Sequence, residues 1–89
     1  MPITVRGYGV NEKGDQLVAT FTLSEPPDPA WVKCFRQRSA HSRFDYTTAT
    51  IRRNLLQVQL PEREELTNLV ESVELLIQAA NLDYQFHSL

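Results

Sequence analysis

The sequence predicts a two-layer α+β domain in the order ββαββα. In it, a four-stranded antiparallel sheet packs two helices on one face. Three observations lead there. Residues 16–23 alternate apolar and polar with period two, as a half-buried strand does. Asp28-Pro29 opens a segment in which Trp31, Cys34 and Phe35 recur at helical spacing. Leu66, Leu69, Val70, Val73, Leu76, Ile77 and Ala80 form one long amphipathic stripe.

The elements follow in order. Residues 3–10 read as a strand, and Asn11-Glu12-Lys13-Gly14-Asp15 as a polar loop with a glycine for positive φ. With residues 16–23 they make a hairpin. Pro26, Pro27 and Pro29 interrupt the sheet, because proline donates no ladder hydrogen bond. Asp28 can cap the orphan amides of a helix over residues 29–38. Residues 43–52 and 55–60 are rich in aromatic and β-branched residues and read as two strands. The turn falls near Arg53-Asn54, with Asn54 the candidate for a left-handed conformation, and one long strand is the competing reading. The last helix is placed at 62–80, with Pro61 at its start and Glu62, Glu64 and Glu65 complementing its N-terminal dipole. Asn81 is the expected stop, leaving Leu82, Tyr84 and Phe86 in a tail that packs back on the domain.

Strand parity assigns the faces. Ile3, Val5, Leu17, Ala19, Phe21, Leu23, Leu56, Val58 and Leu60 point toward the helices. Thr4, Arg6, Tyr8, Val18, Thr20, Thr22, Gln57 and Gln59 then line an open face.

The totals narrow the function. Eighty-nine residues make a single domain, 1–89, with little material beyond its core. One cysteine, Cys34, allows no internal disulfide, and no apolar run approaches a signal peptide or a membrane span. A cytoplasmic setting is the expectation. A net charge of −2 argues against a general DNA-coating role. That total hides a basic middle: Lys33, Arg36, Arg38, Arg43, Arg52 and Arg53 against Asp45 give residues 33–53 a net +5. Residues 54–89 are acidic, at −5.

Few motifs carry chemistry. Arg6-Gly7-Tyr8-Gly9 matches the first half of an RNA-recognition signature, but Val10, Asn11, Glu12 and Lys13 fail its second half. No helix separates the first two strands, as that fold requires. Cys34, His41 and Asp45 are the right types for a nucleophile set, but their closeness in sequence makes no triad, and Cys34 belongs to an apolar helix face. One Cys and two His give no metal-ligand spacing. No phosphate loop or dinucleotide fingerprint is present.

The reading is therefore non-enzymatic, without metal or cofactor. The leading expectation is a small protein-protein interaction or self-association module of bacterial or phage type, using the open sheet face or an edge strand, and a homodimer fits it. The first alternative is a nucleic-acid-binding module using Arg36, Arg38, Arg43, Arg52 and Arg53 beside Arg6 and Tyr8. The second is an inhibitor presenting the acidic helix face Glu64, Glu71 and Glu74 to a basic partner.

Overall fold

The computed structural model describes residues 2–41, 49–62 and 64–87. Their elements are β1 (Val5–Lys13), β2 (Gln16–Leu23), α1 (Pro29–Ser39), β3 (Thr50–Arg52), β4 (Leu55–Gln59) and α2 (Leu66–His87). The order is the predicted ββαββα. The four strands form one antiparallel sheet, β1-β2-β4-β3. β2 and β4 lie at its centre because they carry its fully buried side chains, Ala19, Phe21 and Leu23 facing Leu56 and Val58. Trp31, Cys34 and Phe35 of α1 and Leu69, Val70, Val73, Leu76, Ile77 and Ala80 of α2 complete one core cluster with them.

The first hairpin is tighter than the sequence suggests. Asn11, Glu12 and Lys13 are not loop; they pair with Val18, Leu17 and Gln16. Only Gly14 and Asp15 turn, and Gly14 takes φ 67°, which glycine adopts without a Cβ penalty.

β1 also departs from simple parity. Val5 pairs with Leu23, and Gly7 pairs with the very next residue of β2, Thr22. Arg6 is the extra residue of a bulge. Beyond it every side chain of β1 changes face. Tyr8 and Val10 stand opposite Phe21 and Ala19, on the helix side. This corrects the placement of Tyr8 on the open face: its ring lies 5.9 Å from that of Phe21. Gly7 and Gly9 take its place there, and a Cβ at either would meet nothing within 4 Å.

α1 starts as expected. Asp28 is its N-cap, and its carboxylate accepts from the Trp31 amide at 2.9 Å. Trp31 stacks on Phe35, with ring centroids 5.6 Å apart. The two last strands are a hairpin, not one long strand. Its left-handed residue is Arg53, at φ 55°, rather than Asn54. Asn54 instead ties the turn to β2: its carbonyl accepts from the Leu23 amide at 2.7 Å, and its side chain donates to the Leu23 carbonyl. The expected strand over 43–52 is observed as Thr50–Arg52, and residues 43–48 lie outside the described residues.

α2 differs most from expectation. It begins at Leu66, so Glu62, Glu64 and Glu65 precede it rather than occupying its first turn. The Glu65 carbonyl accepts the first helical bond, from the Leu69 amide. At the other end α2 runs through Asn81 to His87. An Asn stops a helix when its side chain competes for the local backbone. Here that side chain is engaged elsewhere. Its Oδ1 accepts from the Ile3 amide at 3.0 Å and from Trp31 Nε1 at 2.8 Å, and its Nδ2 donates to the Ile3 carbonyl at 2.8 Å. The core stripe also continues one more turn, to Tyr84, which packs against the cluster.

Candidate interaction surface

The structure separates the basic residues. β1 and β3 are opposite edges of the sheet, so Arg6 and Arg52 are three strand spacings apart, roughly 14 Å. Arg52 is in register with Leu55, on the open face, and Arg53 sits in the turn beside it. Arg36 and Arg38 belong to the helix layer. Arg36 donates to the Ala49 carbonyl at 3.2 Å. Arg38 makes a two-pronged contact with Asp83 of α2, at 2.7 and 2.9 Å. Both members of that pair reach solvent, so water screens it and it contributes little to stability. Arg43 lies outside the described residues. Arg6 and Tyr8 are neighbours on β1, but the bulge gives Tyr8 to the helix side. No face of the described residues gathers these groups into one patch.

Of the acidic set, Glu64 lies ahead of α2 and accepts from the Asn68 side chain at 2.9 Å. Glu71 and Glu74 are on α2 and exposed. Among the described residues, no group of His, Cys, Asp and Glu is arranged to hold a metal, and no helix is long and apolar enough to cross a membrane. Cys34 is a free, buried thiol inside the core, and Asp45 lies outside the described residues.

A second polar clasp joins the two helices. The Tyr84 hydroxyl donates to the Asp28 carboxylate. That bond, followed by the one from the Trp31 amide, lowers the Asp28 pKa below its ordinary 3.8. Tyr84 is pushed above 10.0, first by the same bond and then by the negative charge it faces. A carboxylate held below its unfolded value stabilises the fold above about pH 3.8 and loses that contribution as pH falls through the lowered value. Tyr84 loses its contribution above pH 10.0. Removing the hydroxyl with Tyr84→Phe should therefore matter at neutral pH and matter less in acid. Urea denaturation of both chains from neutral pH to about pH 2 reads this as a narrowing gap. A gap that stays constant would show that the clasp carries no acid-linked stability.

The most unusual surface lies on the other side of α2. Leu75, Leu82 and Phe86 are 65%, 56% and 71% exposed. With Ala79 they follow i, i+4, i+7, i+11, so they line one side of the helix. At roughly 100° per residue, this stripe lies some 140° around α2 from the core stripe. α2 is thus apolar along two lines, one facing the sheet and one facing water. The spacing was present in the sequence. It escapes notice when the helix is ended at residue 80, because Leu75 then stands alone and Leu82 and Phe86 belong to a tail. Of that expected tail, Tyr84 packs back on the domain and Leu82 and Phe86 do not.

The open sheet face is milder. Apart from half-buried Val18, the residues Gly7, Gly9, Asn11, Thr20, Thr22, Thr50, Gln57 and Gln59 supply little apolar area, and Leu55 is its only exposed large hydrophobic residue among those described. No family model, curated protein or solved structure matches the chain.

Proposed function

We propose that the chain is a non-enzymatic protein-interaction module whose contact surface is the outer side of α2. One observation supports this above the others. Leu75, Leu82 and Phe86 are all more than half exposed, and all fall on one side of one helix. Single exposed leucines are ordinary, whereas an aligned row of large apolar side chains costs solubility unless something covers it. A helix in a groove, or a helix against a helix, is the usual way such a row is covered. The sheet-face version of the interaction reading has weaker support, since that face carries little to bury.

The test is a tagged pull-down from native host extract, run with and without nuclease, using the natural chain and Leu82→Glu. Leu82 is exposed, so the substitution leaves the fold intact. The expected result is a stoichiometric partner, another protein or a second copy of the chain, that survives nuclease and is lost with Leu82→Glu. Capture that disappears with nuclease but tolerates Leu82→Glu would overturn the reading in favour of nucleic-acid binding through the arginines.

A further inference from the structure

We infer that the occupant of the outer α2 stripe is a second copy of this chain, docked with its own α2 running antiparallel. The inference rests on the interaction reading above and deepens it.

The stripe is complementary to itself. Leu75, Ala79, Leu82 and Phe86 are spaced 4-3-4, the alternation that two helices use to form a shared seam. Turned end for end, the stripe places each of its residues opposite another of its residues: Leu75 against Phe86, and Ala79 against Leu82. The centre of the seam then sets a small side chain against a large one, which lets the axes approach closely and interdigitate. The two ends set large against large, closing the seam.

Charge selects the direction. Glu71 and Glu74 are exposed on α2 just N-terminal to the stripe, and neither forms an ion pair among the described residues. Parallel docking would bring the two acidic ends together at one end of the seam, like charge toward like. Antiparallel docking sends the two acidic ends to opposite ends of the seam and opposes the helix dipoles favourably. The two-fold axis needed is the commonest symmetry of small oligomers.

Area sets the strength. Three large side chains and an alanine from each copy, over roughly 16 Å of helix, lie at the small end of specific interfaces. The dimer is therefore concentration-dependent, with the monomer folded on its own core.

Two measurements on the full chain test this. Light scattering across a concentration series should show mass rising from the 10.2 kDa chain toward twice that value. Leu82→Glu should weaken the association at least about tenfold. Mild oxidation of Leu75→Cys mixed with Phe86→Cys should give cross-links between the two variants. Leu75→Cys alone should give few, since its two copies stand roughly 16 Å apart along the seam. The natural chain, whose Cys34 is buried, is the control. Leu75→Cys linking to itself as readily as to Phe86→Cys overturns the antiparallel seam. A chain that stays monomeric at every concentration overturns self-docking altogether. The interaction reading then stands or falls separately, on whether Leu82→Glu abolishes capture of a different protein.

Discussion

Replacing Asn81 with alanine is expected to destabilise the domain by about 2–4 kcal/mol, although Asn81 lies on a helix and is only half-buried. The side chain joins three parts of the fold. It holds both backbone polar groups of Ile3, ahead of β1, and the indole N–H of Trp31 on α1. Trp31 is 2% exposed. Truncation therefore leaves a donor in the core with little access to water, which costs more than the net worth of a lost hydrogen bond. It also frees the Ile3 segment from α2. The gain in helix propensity from Asn to Ala, at most about 0.7 kcal/mol, offsets little of this. Urea unfolding at neutral pH measures it, with an unchanged slope showing that the denatured state is unaltered. A loss below about 1 kcal/mol would mean that water replaces the Asn81 oxygen and that the clasp is incidental.

Leu69→Ala is the second large effect, expected at about 2–5 kcal/mol. Leu69 is fully buried near the start of α2 and belongs to the one core cluster. Its removal leaves a cavity in that cluster, whose packed side chains close only partly around it. The informative comparison is Leu82→Ala on the same helix. With Leu82 56% exposed, that change should cost the monomer under about 0.5 kcal/mol. Equal costs would mean that the two stripes of α2 do not divide into an inner and an outer one.

Much of this architecture was legible before the fold. Residues 16–23 alternate cleanly, because β2 is central and Ala19, Phe21 and Leu23 on one of its faces are fully buried. Asp28-Pro29 marked α1 because capping is a local interaction. The stripe from Leu66 to Ala80 was visible because burial against a sheet imposes helical spacing. What escaped had non-local causes. The bulge at Arg6 depends on how β1 meets β2; the neighbouring Gly7 is compatible with one but does not fix its position, so parity alone puts Tyr8 on the wrong face. The persistence of α2 past Asn81 depends on Ile3 and Trp31, which lie 78 and 50 residues away in the chain. Arg53 takes the left-handed position because the Asn54 side chain and carbonyl are held by Leu23, a pairing invisible along the turn itself.

The candidate surface was less legible for the same reason. The basic residues cluster in sequence but are distributed by the fold over the helix layer, the open face and the far edge. The outer stripe of α2 was dispersed in the reading because half of it lay beyond the expected helix end. Its spacing becomes meaningful only once Asn81 is known to be clasped.

Closure of the outer side of α2 on a second copy of the chain leaves a spectroscopic trace. Amide NMR spectra of the labelled protein, recorded over a concentration ladder, test it most directly. Resonances from Leu75 to Phe86 are expected to move with concentration, while those of Thr20, Thr22 and Gln57 on the open sheet face stay in place. Shifts confined to the sheet face, or spectra that do not change with concentration at all, would contradict it.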